Sequence, residues 1–475
     1  MSLRKGGEIV TDSELPLPLP LPLRQCWPAL IVLCVGFFLM LIDQTIVAVA
    51  TAHLKDELGA SYNQAIWVTS IYLLAFAVPL LVTGRLGDVF TQRRMYCAGM
   101  ALFTATSLAC GLVQSIGQLI VARGLQGLAA AMLSPQTMSV INRIFPQSHL
   151  GTALGIWGTT AGLAGMTGPI LGGLITQYLG WQWIFFCNVP IGIAVTWAAW
   201  RTIPVFPQLK RRIDPASILL SLVSVFLMVF ALQQGQHSGW AGWIWGTLLA
   251  GAGLGVVFLY QQYRAQRNQR EPLVPLRIFT NRNFSVGNIG IFMMGITVAG
   301  IPLPLMLYFQ QVEGLTPARA GLMMIFQAGV SGTLSPLAGR LVDRWKPAAL
   351  AASGFACLTA AVAVVSTAMI RGLPLAAIAC GLVLLGVANA FIWAPNSRMT
   401  LGDLPPAWLG AGSGVYNSTR QLGAVMGTAT ISATLQIGLA AGHGGAAFGI
   451  ALLVALAAAG IAAATTLFAV IPRRA

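Results

Sequence analysis

The chain has 475 residues, of which 56% are hydrophobic and only 8% are charged, and its mean hydropathy is +0.77. Soluble proteins carry roughly 25% charged residues. This composition therefore excludes a soluble globular protein and indicates an integral membrane protein. The net charge of +15 could suggest a nucleic-acid partner, but the placement of the basic residues favours a role in membrane topology.

Apolar segments of about 20 residues, the length that a membrane-spanning helix needs, recur along the whole chain. The loops between them are short, which leaves no room for a separate aqueous domain. The sequence predicts an all-α integral membrane protein with fourteen spans, at 28–50, 64–84, 95–114, 118–141, 150–173, 182–203, 214–234, 241–262, 284–309, 317–339, 348–370, 374–397, 407–435 and 445–471.

Lysine and arginine residues are distributed unevenly between the predicted loops. If the N-terminus is cytoplasmic, 22 of the 27 lie in the N-terminal segment, the even-numbered connections or the C-terminal tail. Only Lys55, Arg319 and Arg371 fall on the other side, while Arg123 and Arg420 fall within spans. Because basic loops stay inside the cell, we expect both termini to be cytoplasmic and the membrane to be the plasma (inner) membrane. A phosphate-binding basic patch is the weaker alternative.

The N-terminal segment and the cysteines carry little functional signal. LPLPLPLP at 15–22 excludes a helix and predicts an extended polyproline arm. We expect no signal peptide, because no short apolar segment is followed by a cleavage site. The seven cysteines contain no CxxC pair and predict packing thiols rather than a metal site or disulfides. No Walker A, HExxH or GxSxG motif is present. We therefore expect that the protein binds no cofactor and is not an enzyme.

A five-residue pattern occurs twice at corresponding ends of predicted spans. GRLGD at 84–88 follows the second span and GRLVD at 339–343 follows the tenth. Eight spans separate the two copies, whereas parallel six-helix halves need six, so the surplus predicts an inserted hairpin. Parallel halves around a midplane site are typical of transporters; a duplication that serves only assembly is the alternative. The predicted domains are a cytoplasmic arm (1–27), a six-helix half (28–203), the hairpin with its flanking loops (204–283), a second six-helix half (284–472) and a cytoplasmic tail (473–475).

Six motifs in a fixed order resemble the major facilitator superfamily, and more closely its fourteen-helix drug:proton antiporter branch. They are LIDQTIVAVA (41–50), GRLGDVFTQRR (84–94), LIVARGLQGLAAA (119–131), GMTGPILGG (165–173), WQWIFFCNVPIG (181–192) and NSTRQLGAVMGTA (417–429). The resemblance spans about residues 28–470. It implies two six-helix pseudo-repeat halves that work as a monomer, with protons, a small-molecule substrate and the lipid bilayer as partners. The chain departs from the family pattern at Ala48, Ala52, Val89 and Thr91, where Thr91 stands in place of a glycine.

The motif at 84–94 is expected to form a loop after the second span. Resemblance implies that this gating loop latches the outward-open state, through the residues Gly84, Arg85, Gly87, Asp88, Arg93 and Arg94. Glycines allow helix ends to approach, and an aspartate can accept bonds from a helix N-terminus or pair with arginine. The alternative is that the basic residues only anchor the loop inside the cell.

Glycines recur along the fifth predicted span at helical spacing. Gly155, Gly158, Gly162, Gly165, Gly168 and Gly172 are separated by three or four residues and are predicted to line one face. Small residues let helix backbones approach closely, and proline can bend the helix. The face could slide against the opposite half, as resemblance to the antiporter motif implies for Gly165, Gly168, Pro169, Gly172 and Gly173. Static packing remains the alternative.

Asp43 is the one acidic residue of the twelve that lies deep in a predicted span. A carboxylate whose proton affinity changes with access to water or substrate is what proton coupling needs, and intramembrane ionisable residues are costly unless paired or functional. The family links Arg123 to proton handling, and Gln126 lies one turn away. A purely structural role stays open for Asp43 and for Arg123. Arg420, followed by Gln421, is the second intramembrane cation, and it could simply snorkel to the cytoplasmic surface.

A substrate pocket with methionine and aromatic surface would suit lipophilic compounds. The candidates are Gln44, Met293, Met294, Tyr308, Asn389, Trp393 and Asn396. The sequence thus predicts a proton-coupled exporter of lipophilic or amphiphilic compounds, drugs included, that works by alternating access. The alternatives are a dedicated exporter of one metabolite, lipid or amino-acid-like solute and, more distantly, a membrane protein that does not transport.

Overall fold

The computed structural model describes residues 3–5, 8–10, 21–206, 214–235, 238–268 and 270–469. Apart from an antiparallel pair of short strands, β1 (Leu3–Lys5) and β2 (Glu8–Val10), these residues form helices joined by short connections. Most of the predicted polyproline arm lies outside the described residues. The helix that follows it begins at Leu23 rather than at 28 and contains Pro28. Its early start is stabilised by packing, since Cys26 is fully buried and its thiol donates to the carbonyl of Ile144.

Every predicted span falls on one helix or on a pair of helices. The helices are α1 (Leu23–Glu57), α2 (Tyr62–Ala77), α3 (Leu80–Phe90), α4 (Gln92–Leu112), α5 (Ile116–Ile144), α6 (Leu150–Tyr178), α7 (Trp183–Phe186), α8 (Asn188–Thr202), α9 (Pro215–Gly235), α10 (Gly242–Arg267), α11 (Arg282–Gly300), α12 (Pro302–Gln311), α13 (Pro317–Arg344), α14 (Pro347–Arg371), α15 (Leu375–Leu401), α16 (Leu409–Ala440) and α17 (Ala446–Thr466).

Twelve described helical segments are long and apolar enough to cross a membrane, and a thirteenth is obtained if the pair formed by α2 and α3, bent by 49°, counts as one span. Prolines account for two of the breaks within predicted spans. Pro79 lies between α2 and α3, and Pro302 opens α12 directly after α11. Proline lacks a backbone N–H and clashes with the preceding turn, which bends or ends a helix.

The long helices pack into two groups. The N-terminal group comprises α1 to α8, in which α1 packs on α6 and α8, and α5 packs on α2 and α4. The C-terminal group comprises α11 to α17, in which α14 packs on α15 and α17, and α16 packs on α11. The groups meet where α6 contacts α13 and α15, and where α16 contacts α3 and α5. The α9–α10 hairpin lies outside this pairing, with α9 against α2 and α16.

The predicted loop at 84–94 is wrong. Helix α3 runs through Asp88 to Phe90, and α4 begins at Gln92, so Thr91 is the single residue between two helices. Its φ of 77° reverses the chain in one residue. The basic and small residues of the motif indicated a loop, but helix-to-helix packing keeps the backbone helical almost to the turn.

Candidate functional site

The acidic and the basic residue of the predicted coupling site lie next to each other inside the N-terminal group. Asp43 on α1 and Arg123 on α5 are both 0% exposed, and Arg123 Nη1 lies 2.5 Å from Asp43 Oδ2. An ionised pair in an apolar environment persists only when its hydrogen bonds are satisfied. The structure thus brings together two residues that are 80 positions apart in the sequence.

Two amide side chains complete the environment of the Asp43 carboxylate. Gln126 Nε2 donates to Asp43 Oδ1 over 3.1 Å, and Asn188 Nδ2 donates to the same oxygen over 3.4 Å. Gln126 Oε1 in turn accepts from Arg123 Nη1 at 2.7 Å. Asn188, which begins α8, also donates to the hydroxyl of Ser107 on α4. The carboxylate is therefore held by donors from α5 and α8.

The guanidinium of Arg123 has an uneven environment. Its Cζ lies 4.2 Å from the centre of the Tyr72 ring on α2, and its Nε donates to the carbonyl of Val68 over 3.4 Å. Among the described residues, its Nη2 has no hydrogen-bond partner. If Asp43 is protonated, Arg123 loses its counterion while one of its nitrogens is already unsatisfied. Protonation of Asp43 would therefore change both the charge and the hydrogen bonding of the pair.

Sequence reasoning named Asp43, Arg123 and Gln126 but missed Asn188 and Ser107. Asn188 belongs to the WQWIFFCNVPIG motif, one of the six that carry the resemblance. An asparagine in an apolar span, two residues before a proline, is the signal that could have identified it, because an unpaired amide is costly there. Ser107 offers no such signal, since serines are frequent in packed membrane helices.

Asp88 lies where α3 meets the start of α16, at one end of the molecule. Its Oδ1 accepts from Arg143 Nη2 at 2.9 Å and from Gln92 Nε2 at 3.1 Å, and Arg85 Nη1 lies 3.5 Å from Oδ2. Arg143 also donates to the carbonyl of Pro406, just before α16. This cluster links the two helix groups.

The glycines of the same motif allow that approach. A Cβ at Gly84 would lie 2.7 Å from Gly414 Cα and 2.8 Å from Gly410 O. A Cβ at Gly87 would overlap the side chain of Gln136. The two arginines at the end of the motif point elsewhere. Arg93 stacks on Trp200, with 4.4 Å from its Cζ to the ring centre, and Arg94 is exposed.

The second copy of the pattern makes the mirror contact. Asp343, at the end of α13, accepts from the backbone N–H of Gly151 at 2.6 Å and of Thr152 at 2.9 Å, and from the Thr152 hydroxyl at 2.5 Å. These residues form the first turn of α6. Asp343 therefore caps a helix of the other group, a role that the sequence did not reveal.

The glycine face of α6 divides into two parts. A Cβ at Gly155 would lie 2.8 Å from Gly339 Cα, and one at Gly162 would lie 3.6 Å from the Ser331 hydroxyl, so this part contacts the C-terminal group. Gly168 and Gly172 instead pack within the N-terminal group, against Thr45 and Ile46 of α1. The side chain of Pro169 lies outside the described part of the chain.

Gly165, between those parts, and Gly173, after them, have open space: no atom lies within 4 Å of a Cβ built on either residue. Gly165 continues the spacing of Gly158 and Gly162, which still contact the C-terminal group. Among the described residues, the close backbone approaches between α6 and the C-terminal group thus lie in the first half of α6, up to Gly162.

The predicted pocket residues lie on several helices and have different neighbours. Tyr308 is 1% exposed and packs edge-on against Phe448, 5.9 Å between ring centres. Asn396 is fully buried and donates to the carbonyl of Gly287 and the hydroxyl of Tyr416, which ties α15 to α11 and α16. The others occupy varied positions: Met294 is buried, Met293 and Gln44 are half-buried, and Asn389 lines a small cavity with Thr297 and Gln327.

Trp393 lies at the interface between the groups, where its ring meets Trp157 of α6 edge-on at 6.1 Å. Arg420 is half-buried, with its Cζ 5.9 Å from the centre of the Trp393 ring, and its neighbour Gln421 is buried. Of the predicted pocket residues, Trp393 therefore has the clearest position between the two groups.

The family model of the Major Facilitator Superfamily matches residues 33–428 of the chain. The chain belongs to the Major Facilitator Superfamily. As a member of this superfamily it is a multi-pass membrane transporter of small molecules. The human organic anion transporter MFSD10 has the same fold, with a TM-score of 0.67 over 92% of this chain and 99% of the other at 14% identity.

Several curated relatives in the superfamily are similar along most of the chain. An uncharacterized MFS-type transporter of Mycobacterium tuberculosis is 43% identical, over 88% of this chain and 72% of the relative. The tetracenomycin C resistance and export protein of Streptomyces glaucescens is 31% identical, over 85% and 75%. The riboflavin transporter RibZ of Clostridioides difficile is 28% identical, over 86% and 88%.

Proposed function

We propose that this transporter is a proton-coupled antiporter that exports lipophilic or amphiphilic compounds, drugs among them, by alternating access. It works as a monomer in the inner membrane with both termini in the cytoplasm. The observation that carries the proposal is the Asp43–Arg123 pair, the one acid deep in the predicted spans held against an arginine with no exposed surface.

Coupling follows from the chemistry of that pair. A proton that reaches Asp43 neutralises the carboxylate and removes the counterion of Arg123, so the protonated and ionised forms favour different packing of α1 against α5. One proton that moves inward at a membrane potential of ~100 mV supplies roughly 2.3 kcal/mol. This energy is sufficient to concentrate a neutral substrate about fiftyfold.

Alternating access is supported by the distribution of contacts between the helix groups. They approach closely at Gly84, Gly155 and Gly339, whereas the Cβ position of Gly165, farther along α6, has open space. A transporter closed at the Asp88 end and open at the other is in one of the two states that rocking halves adopt. If the Asp88 end is cytoplasmic, as the basic residues favour, this state faces outward.

The architecture that we propose has fourteen spans. The thirteen segments described above are thirteen of these spans. We count α6, a helix of 29 residues without a charged side chain, as the fourteenth. The halves are then 28–203 and 284–472, and 204–283 supplies the inserted hairpin. The packing of α9 and α10 outside the two groups supports that division.

A dedicated exporter of one metabolite is the second candidate. The relative from Streptomyces glaucescens is named for the export of a single compound, and the one from Clostridioides difficile is named for a single vitamin. Neighbouring genes of a biosynthetic pathway would favour this candidate. Resistance to several unrelated compounds in cells that express the protein would favour the broader exporter.

The coupling proposal is tested by Asp43→Asn in proteoliposomes. We expect the variant to lose substrate accumulation driven by a pH gradient, while exchange of labelled for unlabelled substrate without a gradient stays within about threefold of wild type. Such retained exchange shows that the variant is folded. The matched control is Glu57→Gln, which neutralises an exposed carboxylate at the end of the same helix. Full gradient-driven accumulation by Asp43→Asn would rule out Asp43 as the coupling group.

A further inference from the structure

Arg420 lies well inside the membrane-spanning part of α16. It follows Leu409, the first residue of this helix, by eleven positions, which places it about 16 Å along the helix axis. Its guanidinium lies over the ring of Trp393 on α15, with Cζ 5.9 Å from the ring centre. An arginine that snorkels extends toward the nearest membrane surface, whereas this one is held over a ring at the interface between the helix groups.

No described side chain neutralises the charge of Arg420. Across the part of the chain that the structure describes, it forms neither a hydrogen bond nor an ion pair. The other deep arginine, Arg123, is paired with Asp43, and neither of those side chains has exposed surface. Since an unpaired intramembrane arginine costs several kcal/mol unless it faces water or a ligand, the half-buried Arg420 leaves the interface between the groups with an excess positive charge.

The surroundings of Arg420 are aromatic. Trp393 meets Trp157 of α6 edge-on at 6.1 Å, and Trp157 stacks on Phe37 of α1 at 4.7 Å. The indole N–H of Trp157 is buried and has no acceptor among the described residues. These rings cross from one group to the other next to Gly158, whose Cβ position lies 3.4 Å from Trp393 Cβ. Phe37, Trp157 and Trp393 thus form an aromatic row across the interface.

We propose that Arg420 and Trp393 form a substrate subsite for a planar aromatic compound that carries a negative charge, such as a carboxylate or phenolate. The guanidinium pairs with the anionic group, and the indole ring of Trp393 stacks on the aromatic frame. Cationic compounds are disfavoured because Asp43, the only deep acid, is enclosed by its own donors. The inference rests on the proposed export function and adds to it the charge of the substrate.

Two xanthene dyes test the subsite, because fluorescein is anionic and rhodamine 123 is cationic on the same ring frame. Equilibrium binding of each dye is measured on purified full-length protein in detergent, with no proton gradient. We expect wild type to bind fluorescein at least about tenfold more tightly than rhodamine 123, as loss of a charged hydrogen bond is worth one to two orders of magnitude. Arg420→Gln should lose this preference, and Arg420→Lys should keep most of it.

The matched control is Arg201→Gln. Arg201 also lies over a tryptophan, Trp197, at 5.3 Å, but it is exposed in the last turn of α8. It should leave both affinities unchanged. Equal binding of the two dyes by wild type, no measurable binding of fluorescein, or an unchanged preference in Arg420→Gln would each overturn the subsite. Binding that shows the preference while transport ignores a pH gradient would refute the proposed coupling and leave the subsite standing.

Discussion

Asp88 and Asp343 end two copies of the same five-residue pattern, and each reaches the first turn of a helix in the opposite group. Neither receiving helix is capped by its own N-terminal residue: the side chains of His149, before α6, and Trp408, before α16, make no capping hydrogen bond. Each copy of the pattern thus places a carboxylate at the N-terminus of a helix in the other group, where the helix dipole favours a negative charge.

The two aspartates differ in what surrounds them. Asp343 accepts directly from two backbone N–H groups and a hydroxyl of α6. The Asp88 carboxylate is fully buried and compensates two arginines, Arg85 and Arg143. One junction is therefore a helix cap supplied by the other group, and the other is a charge cluster. Two copies of one sequence pattern therefore stabilise the same interface through different interactions, and we expect their contributions to the free energy of unfolding to differ.

The largest effect that we predict is a difference in unfolding free energy between variants of these two junctions. Asp88→Ala leaves two buried arginines without their counterion and should lower the free energy of unfolding by about 3–5 kcal/mol. Asp343→Ala removes a cap and should cost only about 1–2 kcal/mol. Unfolding in mixed SDS and detergent micelles measures both values. Replacing Arg143 by Ala together with Asp88 should recover part of the loss, and equal costs for the two single variants would contradict the distinction.

A smaller effect concerns the glycine contact beside Asp88. Gly84→Ala places a Cβ against the backbone of α16, and overpacking of this kind costs about 1–3 kcal/mol. The cost falls only on the state in which the groups touch here, so the population should shift toward the state open at this end. Spin labels at Arg94 and Trp345, both exposed and in different groups, should report a longer distance.

Gly321→Ala on α13 is the matched control, since no atom lies within 4 Å of its Cβ position. It should leave the distance distribution as in wild type. If Gly84→Ala also leaves it unchanged, the close approach of α3 and α16 does not determine which end is open.

The smallest effect lies in the turns that follow the two aspartates. Thr91 has a φ of 77°, which favours glycine, whereas Lys346, at the corresponding place after Asp343, has an ordinary φ of −74°. Thr91→Gly should relieve strain of about 1–3 kcal/mol and lose a few tenths for the cap that the Thr91 hydroxyl gives Arg94 N. We expect a net gain of about 1 kcal/mol.

Thr91→Ala separates the two contributions, because it keeps the strained φ and removes the cap. It should be less stable than wild type in the same unfolding assay, while Thr91→Gly should be more stable. A destabilised Thr91→Gly would show that the buried threonine side chain contributes more than the backbone strain.

The sequence predicted the helical elements well because apolar length is a local property. The broken spans could be anticipated from Pro79 and Pro302, although the predicted loop at 84–94 was wrong, since its helical state depends on packing. The glycine spacing of α6 was predicted as one face, but its residues contact two different partners. The pocket remains a prediction, because helical spacing does not say whether a residue such as Asn396 faces a cavity or a neighbouring helix.

What the sequence determined by itself is a chain that must cross the membrane many times, with one acid, Asp43, far from water. Composition and hydropathy decide this because the bilayer excludes charge over a fixed thickness. Only the tertiary structure decided that Arg123 and Asn188 reach that acid, that Asp343 caps a helix of the other group, and that Arg420 has no counterion among the described residues. Those pairings join residues that are distant in the sequence, and the periodicity of one helix does not specify which face of another it meets.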